Sequence, residues 1–132
     1  MKVFLGGTIN SNWRERLISM IKIDYFNPVV DDWSPRNQDE ELKQKKFCDY
    51  YLYCITPKMT GFYSIAEVVE HSINKPKFTI FVHLILDDGH RFNNGQWNSI
   101  CAISELVKNN GAISYTSLDD AANFLNNKDK HQ

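Results

Sequence analysis

The chain has 132 residues and 15.4 kDa, one domain's worth, and its 42 % hydrophobic and 23 % charged residues exclude a disordered or collagen-like polymer. Its 15 basic and 16 acidic residues are interspersed, for a net charge of -1 and a pI of about 6.4. That balance argues against polymeric nucleic acid as a partner and leaves room for a single nucleotide.

Lys2 to Leu5 reads as a strand that ends in a turn at Gly6-Gly7-Thr8. Ser11 can cap a helix from Asn12 to about Lys22, with Trp13, Leu17, Ile18 and Ile21 at helical spacing. Tyr25 to Val30 is a second strand interrupted by Pro28, followed by the polar loop Asp31-Asp32-Trp33-Ser34-Pro35. Residues 37–47 are highly charged and helical in pattern. Asp49 to Ile55, almost wholly apolar or aromatic, suits a central strand buried on both faces. Residues 56–61 break it, and Ser64 to Ile73 is helical. Phe78 to Leu86 is a fourth strand, Asp87 to Gly95 a polar loop, 96–108 a helix, Ala112 to Tyr115 a fifth strand and Leu118 to Leu125 a last helix capped by Ser117. Residues 1–126 are expected to form one domain and 127–132 a frayed polar tail.

Strict alternation of strand and helix predicts an α/β, flavodoxin-like doubly wound sheet of about five parallel strands with helices on both faces. The stretch from Phe78 to Leu86 is far short of the ~20 apolar residues a membrane span needs, so no membrane association is expected. The apolar run before Gly6 is too short for a signal peptide. Cys48, Cys54 and Cys101 read as reduced core residues of a cytoplasmic protein, and no Cys/His spacing resembles a metal site. No cofactor is expected.

Ligands of such sheets bind outside the carboxyl ends of the strands, which nominates the loops Gly6–Asn12, Val30–Arg36 and Thr56–Ser64. Gly6 and Gly7 can bring backbone N–H groups close to a ligand and Thr8 can add a hydroxyl, but a tight turn also needs glycine. On the helix after the third loop, Ile65, Val68, Val69 and Ile73 share one face, with Ser64, Glu67 and His71 opposite. That polar face reads either as solvated or as part of a site, and Ser64 with Glu67 also fits a capping box. Asp49 is expected to cap or brace the amino end of its strand, and Asp31 and Asp32 lie at the ligand edge. No histidine pairing is visible.

Several segments together resemble the nucleoside 2-deoxyribosyltransferase-like proteins, most closely the small branch of bacteria and their phages. They are Val3-Phe4-Leu5-Gly6-Gly7-Thr8, Trp13-Arg14, Phe26-Asn27-Pro28-Val29-Val30 with Trp33, Cys48-Asp49-Tyr50, Tyr53-Cys54-Ile55-Thr56-Pro57 and the block from Met59 to Val69. The resemblance implies cleavage of the N-glycosidic bond of 2'-deoxyribonucleosides or their 5'-monophosphates, with the sugar passed to another base or to water. It places Glu67 at the position of the nucleophile that forms a glycosyl-enzyme ester. Family members carry an aspartate six residues before that glutamate, where this chain has Gly61. Counting back eight residues from Asp49 reaches Glu41, a carboxylate where the family has aspartate. Glu41, Asp32 or a neighbouring subunit would then protonate the departing base. By the same resemblance Ser64, near a helix N-terminus, and Lys58 would serve a 5'-phosphate. Gly7 and Thr8 would line the base or sugar pocket, with Asn27 and Trp33 against the base. Gly6, Met59, Gly61 and Tyr63 complete the expected substrate contacts. The missing acid at Gly61 also admits a protein that binds a nucleotide without turning it over. A chain this short has little to spare for a lid, so a homo-oligomer of at least two copies is expected.

Overall fold

The computed structural model describes residues 1–29 and 35–127. The elements in chain order are β1 (Lys2–Gly7), α1 (Trp13–Ile18), β2 (Asp24–Phe26), α2 (Pro35–Phe47), β3 (Tyr50–Ile55) and α3 (Tyr63–Asn74). A 3-10 turn (Pro76–Phe78) leads into β4 (Thr79–His83), then β5 (Leu86–Asp87), β6 (His90–Arg91), α4 (Asn94–Asn109), β7 (Ile113–Tyr115) and α5 (Leu118–Asn126). Five parallel strands pair in the order β2-β1-β3-β4-β7, the doubly wound, flavodoxin-like arrangement. The order reverses between β1 and β3, which makes their carboxyl ends the place where a ligand is expected.

Side chains alternate across each strand and so divide the core in two. Val3, Leu5, Tyr50, Leu52, Cys54, Ile80 and Val82 face Trp13 and Leu17 of α1 and Leu118, Ala121, Ala122 and Leu125 of α5. Phe4, Tyr51, Tyr53, Ile55 and Phe81 face Val68 of α3 and Ile100 and Val107 of α4. All six residues of β3 are buried, as expected of a central strand. Asp49 braces its amino end: its carboxylate accepts from the Lys2 backbone N–H at 2.9 Å.

Three elements are shorter than their sequence patterns predict, each for a local reason. α1 ends at Ile18 because the Ser19 hydroxyl donates back to the Arg16 carbonyl and the Met20 N–H closes a tighter turn onto Leu17. β2 ends at Phe26 because the Asn27 side chain accepts from the Val29 N–H, forming a local turn, and Pro28 has no N–H to offer a ladder. β4 runs only from Thr79 to His83, because Pro76 opens the 3-10 turn that takes Phe78 and Leu86 pairs instead with Arg91 in the hairpin. The expected loop at 87–95 contains a small hairpin, β5 against β6, turning through Asp88 and Gly89 at positive φ.

Candidate active site

At the carboxyl end of β1 the chain comes very close to β3. A Cβ at Gly7 would lie 2.0 Å from the Cys54 carbonyl oxygen, and Gly7 sits at φ +125°. A Cβ at Gly6 would meet the Tyr53 ring at 2.5 Å. Both glycines are therefore required by the β1–β3 approach itself. Thr8 continues the clamp: its N–H donates to the Cys54 carbonyl and its hydroxyl accepts from the Thr56 N–H, both at 2.9 Å.

Arg14 holds this turn from α1. Its guanidinium is buried and donates to the carbonyls of Leu5 (3.2 Å), Gly7 (3.3 Å) and Thr8 (2.7 Å), while the Trp13 indole N–H joins it on Thr8 at 2.8 Å. Burial pulls the Arg14 pKa down to about 10, so it stays charged at neutral pH. Among the described residues no carboxylate forms an ion pair with it.

Beside this turn opens a cleft of about 430 Å³. Phe4, Gly6, Gly7, Thr8, Ile9 and Arg14 form one wall, Pro28 and Val29 flank it, Glu41 enters from α2, and Thr60, Gly61, Tyr63, Ser64 and Glu67 close the other side. A somewhat larger but more open hollow of about 480 Å³ lies elsewhere, between α1 and the start of α5. The cleft at β1 and β3 is the better candidate because it lies at the topological switch point and gathers carboxylates.

α3 delivers Ser64 and Glu67 in its first turns. The helix starts at Tyr63, one residue earlier than the sequence pattern places it, and no side chain caps it at Phe62. The capping-box reading of Ser64 and Glu67 is therefore incorrect. By contrast α4 has a full capping box between Asn93 and Gln96, and the Ser117 side chain caps α5. The helix N-terminus at the cleft is thus left without the side-chain cap that these two have.

Glu67 turns to Lys45 of α2, whose ammonium hydrogen-bonds Glu67 Oε2 and lies 3.7 Å from Glu41 Oε1. The Glu67 side chain is 14 % exposed. Burial works against the Lys45 charge, but the hydrogen bond and charge of Glu67, helped by Glu41 and Tyr63, outweigh it and hold its pKa above the ordinary value.

The polar face of α3 is not simply solvated. It covers the tyrosines of β3, and their hydroxyl groups need partners when buried. Tyr53 Oη and His71 Nδ1 are 2.7 Å apart, the His71 ring stacks on Tyr51 at 4.4 Å, and the Tyr51 hydroxyl donates to the Lys45 carbonyl. Burial, with Glu67 next in weight, pushes the Tyr53 phenol far above its ordinary range, so it remains protonated. Burial and then Lys45 hold the His71 imidazole below its usual value, and it is neutral at pH 7. Ile73, expected on the apolar face, is 63 % exposed near the end of the helix.

Of the residues nominated from sequence, Gly6, Gly7, Thr8, Glu41, Gly61, Tyr63, Ser64 and Glu67 line the cleft. Asn27 and Met59 are not among its lining residues: Asn27 makes the turn to Val29, and Met59 packs on the core between α3 and the sheet. Asp32 and Trp33 lie outside the described residues. Lys58 forms an ion pair with Asp88 at 3.3 Å and is likewise not among the lining residues. The sequence pattern gives no site role of their own to Arg14, Lys45, Tyr53 or His71, although His71 falls on the polar face of α3 with Ser64 and Glu67. The signal for the last two was present in Tyr51 and Tyr53, two residues apart on one strand face and both demanding polar partners. Among the described residues no group of three or more histidine, cysteine or acidic side chains could hold a metal ion, and no helix is long and apolar enough to cross a membrane.

The sequence model of the family described as nucleoside 2-deoxyribosyltransferase like matches residues 1–83, from the start of the chain to the end of β4. Every residue lining the cleft falls inside that stretch. A comparison with curated proteins found no match.

Proposed function

The chain belongs to the nucleoside 2-deoxyribosyltransferase-like family, and from that membership and the cleft at β1 and β3 we propose that it breaks the N-glycosidic bond of 2'-deoxyribonucleosides or their 5'-monophosphates. The observation that carries the reading is Glu67, a half-buried carboxylate on the first turns of α3 facing a nucleotide-sized cleft at the switch point. An Oε lone pair of Glu67 attacks C1' as the bond from C1' to the base nitrogen breaks. That electron pair goes to the base, which takes up a proton. Water or an acceptor base then attacks C1', and the ester bond returns its pair to Glu67. Two displacements through oxocarbenium-like transition states replace one harder step.

Glu41 lines the same cleft, which supports it as the carboxylate that exchanges a proton with the base. A Cβ at Gly61 would meet nothing within 4 Å, so the cleft has room for the aspartate that the family resemblance leads one to expect there. Ser64, the uncapped N-terminus of α3 and the positive charge of Arg14 favour an anion in the cleft, which supports the 5'-monophosphate as the better substrate. Ile9 and Tyr63, which line the cleft, are 68 % and 76 % exposed, and Phe62 next to Tyr63 in the chain is 71 % exposed. A second copy of the chain would cover them and close the site.

Incubation with a panel of deoxynucleosides and their 5'-monophosphates, with and without an acceptor base, tests the reading by chromatography. Free base without acceptor indicates a hydrolase, and exchanged base a transferase. Tight binding with all ligand recovered intact would instead establish a non-catalytic nucleotide-binding protein.

A further inference from the structure

The role of Lys45 goes beyond pairing charges. Glu41 and Glu67 both line the cleft, whereas Lys45 is not among the lining residues; its ammonium reaches Glu67 Oε2 and approaches Glu41 Oε1 to 3.7 Å. The lysine is fixed at both ends. Its carbonyl accepts from the Tyr51 hydroxyl, which itself accepts from Lys75 Nζ at 3.1 Å, and its own Nζ lies 5.4 Å from the Phe4 ring centroid. Its side chain is 19 % exposed, so solvent screens the pair less than it would a surface ion pair.

A cation on a carboxylate nucleophile stabilises the free carboxylate and not the neutral ester. It therefore opposes the step that consumes the negative charge and favours the step that restores it. We propose that Lys45 is a positioning residue that divides the work between the two half-reactions: it engages Oε2 of Glu67, leaves Oε1 to attack C1', and speeds departure of the carboxylate when the sugar leaves. In the first half-reaction the C1'–Oε1 bond forms and the C1'–N bond breaks, its electron pair and a proton from Glu41 ending on the base. In the second, a water oxygen bonds C1', the C1'–Oε1 pair returns to Glu67 beside the ammonium, and the water's proton goes to Glu41. The sugar ester is thereby kept from accumulating. The proposal rests on the reading of Glu67 as nucleophile.

The test is rapid-quench analysis of the full chain with deoxynucleosides and deoxynucleoside 5'-monophosphates, following released base and the intact mass of the protein. The native chain is expected to show linear base release and no added sugar. Lys45→Met is expected to show a burst approaching one base per chain and a sugar adduct on the protein. Its steady turnover should fall about tenfold or more, while the first base release is not slowed in parallel. Lys45→Arg should restore the native pattern, and Lys45→Gln replaces the methionine variant if that one shows no cooperative melting. Base release by the native chain together with an uncharged variant that shows neither burst nor adduct overturns the role of Lys45 alone. Parallel loss of first release and turnover, unrescued by arginine, overturns it likewise. No base release by the native chain from any compound overturns the reading of Glu67, and this proposal with it.

Discussion

On one side of the sheet Trp13 and Leu17 of α1 and Leu118, Ala121, Ala122 and Leu125 of α5 close over Val3, Leu5, Leu52, Ile80 and Val82. On the other side α2 has no buried residue at all. It is held by polar contacts: Lys2 Nζ to Gln44, the Tyr51 hydroxyl to the Lys45 carbonyl, and Lys45 to Glu67. An apolar helix face must seal against the sheet to gain anything, because the hydrophobic effect scales with area removed from water. A helix held by a few directed polar contacts can stand off and leave a cleft beneath it. The same sheet thus provides a dry brace under α1 and α5 and, where α2 crosses its other face beside the apolar α3–α4 cluster, a polar chamber.

If that division is right, substitutions should separate into those that change chemistry and those that change stability. The largest effect is expected from Glu67→Gln, which removes the nucleophile with little change in volume. Base release should fall about 10³-fold or more, while the thermal midpoint falls only modestly, because glutamine keeps an oxygen to accept from Lys45 but loses the charge. Retained activity in this variant would break the comparison on its polar side. Leu125→Ala on the opposite face should do the reverse. It leaves a cavity in a side chain that is 1 % exposed, and should lower unfolding free energy in denaturant titration by about 2–5 kcal/mol. Its base release, measured well below its melting temperature, should stay near the native rate.

A smaller effect is expected at Gly61, where the backbone offers room and φ is not in the left-handed region. Gly61→Asp places a carboxylate on the cleft where the family resemblance leads one to expect it. It should raise base release about tenfold, below the roughly 10²–10⁴-fold that a well-positioned acid contributes. An unchanged or lower rate would show that Glu41 or another group already meets that need.

The smallest effect concerns acid stability. His71 and His83 both have imidazole values held below 6.5, mainly by burial, with Lys45 and Lys108 respectively adding to the shift. A depressed imidazole value means the unfolded chain binds the proton more readily. Their contribution is complete above about pH 6.5 and is lost as pH falls through the folded-state values. Urea midpoints measured from pH 7.5 down to 5 should therefore decline, and His71→Gln should flatten part of that decline. An unaltered slope in the variant would place the acid sensitivity elsewhere.

Much of this architecture was legible in the sequence because it rests on local rules. The near-continuous apolar runs of β1, β3 and β4, buried on both faces, and the alternation of strand and helix are enough to predict a doubly wound sheet. The hairpin of β5 and β6 was missed although Asp88-Gly89 is a strong turn signal, because the strands are two residues each and carry no periodicity. In the site, Glu67, Ser64 and Glu41 could be nominated from the family resemblance and from helix geometry. Lys45 could not, since its partner Glu67 lies 22 residues away on a different helix. Nor could Arg14, whose hydrogen bonds go to main-chain carbonyls and leave no trace in residue type. Long-range polar partnerships are set by tertiary packing, and a single chain's pattern does not encode them locally.

The most direct measurement is a crystal structure of Glu67→Gln with a 2'-deoxynucleoside 5'-monophosphate bound. The account predicts the sugar in the cleft between Gly7 and Ser64, with the residue 67 side-chain oxygen about 3–3.5 Å from C1' and opposite the base. A nucleotide seated in another cavity, or C1' turned away from residue 67 with Glu41 in its place, would contradict it.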